Sequence, residues 1–254
     1  MMIRHNVGNI LCVGNANFTL DDDHDFVILV YEATLAKWCV TQGSSLVNAI
    51  LDGWVNVDET WTYAAASTFT VPTDQTARYH KGTRLKFTQT TVKYAVVVAS
   101  SYSAPDTTVT IAVNTDYTIA NAAITSPFYS YQYSPQGYPE WFNFTVGYTG
   151  FSANPTSSFS RLAIRGTTCQ VQYFQAANGT SNATDFTITG MPVSAASAHS
   201  LMMFFGANNS VNVTVACRAD LSGTVLALSS DINGTGWVAS GTKGLYYIDV
   251  SYRY

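Results

Sequence analysis

Thr83-Arg84-Leu85-Lys86-Phe87-Thr88-Gln89, followed closely by Val92-Lys93-Tyr94-Ala95-Val96-Val97-Val98, decides how this chain is read. In the first run Leu85 and Phe87 fall on one side of an extended backbone and Arg84, Lys86 and Thr88 on the other, because successive strand residues point to opposite faces. In the second, Val92, Tyr94, Val96 and Val98 alternate with Lys93, Ala95 and Val97. Ser103-Ala104-Pro105-Asp106 then supplies turn residues, and Val109, Ile111 and Val113 resume the alternation. The region reads as an antiparallel meander with a solvated polar face.

Working outward, segments 161–166, 169–174, 185–189, 200–205, 211–217, 224–228 and 245–254 are short, strand-like and separated by Gly, Asn and Pro, the spacing of a sandwich or barrel. A further strand is expected over 26–31, and only 44–51 carries apolar residues at a helical spacing. The expected fold is all-β in three parts: an N-terminal attachment region (1–52), a middle antiparallel β-domain (53–142) and a C-terminal jelly-roll-like β-sandwich (143–254). The stretch 126–142 joins the last two. Its prolines at 127, 135 and 139 argue against a central strand, so Tyr129, Tyr131, Tyr133, Tyr138, Trp141 and Phe142 are candidate residues of an interdomain seam.

Composition bounds the function. Of 254 residues, 47% are hydrophobic and 13% aromatic, while only 11% are charged, against roughly 25% in an average soluble chain. So little charge implies a surface partly covered by copies of itself or by other proteins. The closing run Tyr246-Tyr247-Ile248-Asp249-Val250-Ser251-Tyr252-Arg253-Tyr254 is aromatic on both faces, which makes Tyr246, Tyr247, Tyr252 and Tyr254 candidate subunit-interface residues. A net charge of -4 speaks against nucleic acid as a partner, which demands a basic footprint. No apolar run is long enough to span a bilayer and the start lacks a leader pattern, so no membrane insertion is expected.

Candidate chemistry is sparse. Cys12, Cys39, Cys169 and Cys217 lie far apart among apolar neighbours and read as buried hydrophobes rather than disulfide or metal partners. Asp21-Asp22-Asp23-His24-Asp25 lacks calcium-loop spacing and reads as a solvated turn. The basic set Arg78, His80, Lys81, Arg84, Lys86 and Lys93 reads first as a solvated strand face and second as a contact for an anionic glycan. Asp58, Glu59, Glu140 and Asp185 are the carboxylates from which a glycosidase would draw its pair. Trp54, Trp61, Trp141 and Trp237 fit a core or interface better than sugar stacking. With no nucleophile elbow or paired-histidine metal motif, the chain reads as non-enzymatic, without catalytic residues, cofactor or metal.

Three stretches resemble structural proteins of tailed bacteriophages, of the tail-fibre, head-fibre and minor structural kinds. They are Trp61-Thr62-Tyr63 through residues 68–76 and 81–89; Ser134-Pro135-Gln136-Gly137-Tyr138-Pro139-Glu140-Trp141-Phe142; and residues 179–188 with Met191-Pro192 and Trp237-Val238-Ala239-Ser240-Gly241-Thr242-Lys243-Gly244. In the last, flanking glycines place Lys243 on an exposed loop. The resemblance covers about 54–254. It implies a virion component, commonly trimeric, that partners itself and other phage head or tail proteins and displays a sandwich to a host cell-surface glycan or protein, after assembly in the bacterial cytoplasm. The alternatives are a capsid decoration or cement protein without a receptor role, and a glycan-depolymerising enzyme.

Overall fold

The computed structural model describes residues 2–3, 10–11, 18–19, 27–43 and 52–254. The acidic run 21–25, the helical-spacing stretch 44–51 and Cys12 lie outside them. Among the described residues the chain is all-β, built from several antiparallel sheets and one three-stranded sheet with a parallel pair, none of them closed. It divides into two compact units, 1–56 with Ser134–Gly137, and Val57–Tyr133 with Tyr138–Tyr254. The middle β-region and the C-terminal sandwich therefore belong to one unit.

In the first unit the strands Val27–Glu32 and Lys37–Gly43 form an antiparallel hairpin, and Ile10–Leu11 pairs in parallel with Lys37–Gly43. Trp54 is buried, with its indole Nε1–H donating to the Gln136 carbonyl at 2.8 Å. The hairpin leaves Ile28, Val30, Tyr31, Leu35 and Trp38 exposed.

The second unit is organised by the long strand Thr91–Ser103. It pairs with Arg84–Gln89 on one side and Asp106–Ile111 on the other, and the sheet continues through Thr68–Pro72 to Thr62–Ala65. The alternation that identified this strand has a cause on each face. Ala95 and Val97 enter a core with Trp61, Phe69, Val71, Tyr79, Leu85, Phe87, Val109 and Ile111. Val96 enters a second core, against which Tyr94 and Val98 pack. Both faces are buried where the strand crosses its middle, so no polar position survives from Ala95 to Val97.

That second core is the sandwich. One sheet runs in the order Phe142–Asn143, Thr156–Arg165, Thr168–Ala177, Tyr247–Arg253. It contributes Leu162, Ile164, Cys169, Val171, Tyr173, Ile248, Val250 and Tyr252. The facing sheet runs Gly147–Thr149, Thr187–Thr189, Val225–Ser229, Cys217–Ser222, His199–Phe204. It contributes Ile188, Leu226, Leu228, Cys217, Ala219 and Leu221. Each fully buried Leu, Ile or Val is worth about 1.5–3 kcal/mol of transfer free energy, so these rows dominate the attraction between the sheets. Trp237 lies among them, with its Nε1–H donating to the Leu228 carbonyl at 2.7 Å.

Four sequence expectations are corrected here. A strand does run through Pro127: Thr125–Ser130 pairs with Arg84–Gln89. The register jumps from Thr125 opposite Thr88 to Phe128 opposite Lys86, and this bulge takes up the residue that cannot donate to the ladder. Segment 211–217 is two elements, Val211–Asn212 and the start of Cys217–Ser222. Lys243 is wholly buried rather than exposed, its Nζ donating to the carbonyls of Ala183 at 2.6 Å and Asp185 at 2.5 Å above the Phe151 ring. Tyr252 and Tyr254 are removed from the subunit-interface candidates because the chain's own sandwich buries both. Their hydroxyls donate to Val193 O and Gly166 O, each at 2.8 Å.

Candidate functional site

Two surfaces of the second unit concentrate polar chemistry and exposed rings. The first is a cleft of about 290 Å3 lined by His80, Lys81, Gly82, Arg84, Tyr131, Gln132, Tyr133 and Gly166. Its floor is set by a meeting of two turns, Gly82 at φ +88° and Gly166 at φ +61°. A Cβ on Gly82 would stand 3.0 Å from the Gly166 carbonyl oxygen, so both the left-handed backbone and the close approach require glycine there.

Arg84, expected on a solvated face, is only 3% exposed. Its alternating position is as predicted, but a second layer covers that face. Nε donates to Tyr133 O, Nη1 to Gly82 O at 2.8 Å and Nη2 to Ile164 O at 2.5 Å. The guanidinium lies between the rings of Tyr133 and Tyr138, 5.4 and 5.1 Å from their centroids. Beside it, exposed Lys81 donates to the main-chain oxygen of Tyr254 at 3.0 Å, and the His80 ring meets Tyr131 edge-on at 5.0 Å.

Five of the six seam candidates separate into three groups, and the sixth, Trp141, lies beneath the Arg161 guanidinium. Tyr129 packs on the middle core beneath the Arg78 guanidinium. Tyr131 and Tyr133 stand exposed at the cleft. Tyr138 and Phe142 close a four-ring cycle with Tyr94 and Tyr117, every contact edge-on at 5.5–6.0 Å. That cycle packs on the sandwich core where the middle sheet meets it. Burial pushes the Tyr138 hydroxyl far above the ordinary phenol range, against the opposing charge of Arg84.

The second surface is the outer face of the sheet containing Tyr247–Arg253, where cross-strand register lines side chains up in rows. Phe159, Phe174 and Tyr247 form one row, and Arg161, Gln172 and Asp249 the next. The Phe159 and Phe174 rings stack at 5.8 Å. Arg161 sits over Phe159 and Trp141, 4.7 Å from each, and its Nε donates to Gln172 Oε1. Gln172 and Gln170 in turn donate to the two oxygens of Asp249. Near this row Tyr246 N donates to Phe205 O, and Asn208 pairs with Val211. Tyr246 and Tyr247 are 42% and 43% exposed, Phe205 61% and Val211 67%. The rim of the sandwich is thus ring-bearing and apolar.

The carboxylates weighed as catalytic partners have other roles or none visible. Glu59 accepts two hydrogen bonds from Arg78 Nη1, at 2.6 and 2.7 Å, and one from Tyr79, whose oxygen accepts from Trp61 Nε1 at 3.0 Å. Burial pushes the Glu59 carboxyl up, but those bonds and the Arg78 charge outweigh it and hold the group below its usual range. Glu140 is exposed and 3.7 Å from Arg165, and Asp58 and Asp185 are exposed. Trp54, Trp61 and Trp237 are core residues. Sequence reasoning missed the Gly166 turn and the Phe159, Phe174 and Phe205 rings. The rings carry a signal only once register is known. Set against known protein families, curated proteins and solved structures, the chain has no match.

Proposed function

We propose that this chain is a non-enzymatic structural component of a bacteriophage particle, self-associated and most simply a homotrimer. It would dock to head or tail through its N-terminal region and present the sandwich for host-surface binding. The observation that carries the reading is the exposed rim Phe174, Phe205, Val211, Tyr246 and Tyr247 on an otherwise well-packed sandwich. At about 150–250 Å2 per aromatic side chain and these exposures, the five residues place several hundred Å2 of apolar surface in contact with water. That is comparable with the largest patch of a typical monomer, about 300–600 Å2 and often functional. A sister chain is a fitting occupant because the neighbouring row holds its own opposite charges, Arg161 and Asp249, joined through Gln172. It therefore offers no net charge to repel a copy. The exposed apolar hairpin of residues 27–38 supports docking by the other unit.

Gold-conjugated antibody against the chain on intact particles, paired with an adsorption assay, tests the reading. Label at a regular appendage position and adsorption blocked by the antibody are expected. Particles that never carry label refute it, and loss of shell stability with adsorption intact assigns a shell-stabilising role instead.

A further inference from the structure

We infer that the cleft between Lys81, Arg84, Tyr131 and Gly166 binds an anionic saccharide, with the acid group on the cations and the sugar body against tyrosine. The reading begins with the hydrogen-bonding capacity of the lining residues. A guanidinium carries five N–H donors and an ammonium three. Arg84 uses three of its five, all on main-chain carbonyls, and Lys81 one of its three. Neither has a side-chain carboxylate within ion-pair distance among the described residues, where ion pairs involve Arg78, Arg165 and Arg218 instead. No acidic residue lines the cleft. Two adjacent cations with four unengaged N–H groups, one nearly removed from water, form a site that favours an oxyanion.

A polyhydroxylated scaffold is indicated by the remaining groups. Thr83 Oγ1 lies 3.3 Å from Arg78 O and 2.7 Å from His80 Nδ1, and in the shorter contact either atom can be the donor. The imidazole thus brings a second ring nitrogen, Nε2, to the cleft lining, and a hydroxyl can pair with it as donor or as acceptor. Tyr131 at 59% and Tyr133 at 49% exposure supply ring surface on the same rim, and Gln132 lies between them. A volume of about 290 Å3 holds one or two sugar rings and is near the lower bound of small-ligand sites, about 300 Å3. Two sources supply such an acid group, the carboxylate of a uronic acid and a phosphate ester on a sugar. The site lies within one chain, so it stands or falls independently of self-association.

Calorimetric titration of the full chain with galacturonate oligomers, glucose 6-phosphate, maltotetraose and inorganic sulfate tests the inference and separates the two acid sources. Binding of one acidic sugar is expected, at least about tenfold tighter than maltotetraose or sulfate, a margin that one charge-assisted hydrogen bond can supply. Both Lys81→Gln and Tyr131→Ala change exposed side chains and should weaken that binding about tenfold while leaving the urea midpoint in place. Equal binding of sulfate, equal binding of the neutral sugar, affinity untouched by both substitutions, or no binding of either acidic sugar would each overturn the inference.

Discussion

Replacing Tyr79 by Phe removes one oxygen from the centre of the middle core and tests whether the Trp61–Tyr79–Glu59 chain holds that core together. Tyr79 is fully buried, its ring 5.6 Å from Trp61 and 6.3 Å from Phe69. Phe preserves those ring contacts and opens no cavity worth the name, so the volume term drops out. What changes is hydrogen bonding. Trp61 Nε1–H, buried with the Tyr79 oxygen as its acceptor, is left unpaired, which costs about 1–3 kcal/mol. Glu59 loses one donor but keeps both contacts to Arg78, so its share is small. A loss of about 1–3 kcal/mol lowers Tm by roughly 2–12 °C in a unit of this size. With a urea m-value near 2 kcal/mol/M it also moves the midpoint by about 0.5–1.5 M. Urea titration followed by far-ultraviolet circular dichroism reads it directly. Tyr63→Phe, on the same core and without a hydroxyl partner among the described residues, should stay within about 0.5 kcal/mol of the parent. If Tyr79→Phe does too, the hydrogen-bonded chain contributes nothing and the account of this core is wrong.

Other outcomes follow from the same geometry. The Glu59 carboxyl is held below its ordinary value of 4.5 in the fold. Its contribution is therefore complete above that pH and disappears as pH falls through the folded value. The stability gap between parent and Glu59→Gln should narrow below about pH 4.5, and a gap that widens on acidification would contradict the pairing. Lys243→Met keeps the volume but strips the donor from the Ala183 and Asp185 carbonyls. A loss of about 2–4 kcal/mol is expected by urea titration; a variant as stable as the parent would show that the clamp is inert. Burial pushes the Cys169 and Cys217 thiols up to about 11. Iodoacetamide at neutral pH should leave both unmodified in the folded protein, as read by peptide mass, and modify both in urea. Modification at the same rate in both conditions would refute their burial.

Much of the architecture is legible in period-two patterning, because a strand with one or two packed faces must repeat every second residue. Leu85, Phe87, Val96 and Val109 occupy the positions their alternation assigns. The pattern stops short of the next layer. Arg84 alternates like a surface residue, yet the turn at Gly166 and the Ile164 carbonyl cover it, and only the tertiary arrangement supplies the acceptors that let a guanidinium be buried. Lys243 sits between glycines that signal a loop, but the carbonyls that hold it come from residues about 60 positions away. Pro127 suggests a chain break until a bulge is allowed for. The candidate sites divide the same way. The basic character of the cleft is visible in Arg78 to Lys93, whereas Tyr131 and Gly166 join it only through folding. Tyr246 and Tyr247 are exposed as an interface residue must be, while Tyr252 and Tyr254 belong to the interior for the same periodic reason that places Ile248 and Val250 there.

Molar mass by light scattering of the purified chain in dilute buffer, beside a variant carrying Phe205→Lys and Tyr246→Lys, bears most directly on the account. The parent is predicted at about three times the 27.5 kDa chain mass, and the double variant, with two charges placed on the rim, as a folded single copy. A parent that stays at 27.5 kDa would mean that the rim needs no sister chain, and the structural basis for an assembly component would be gone.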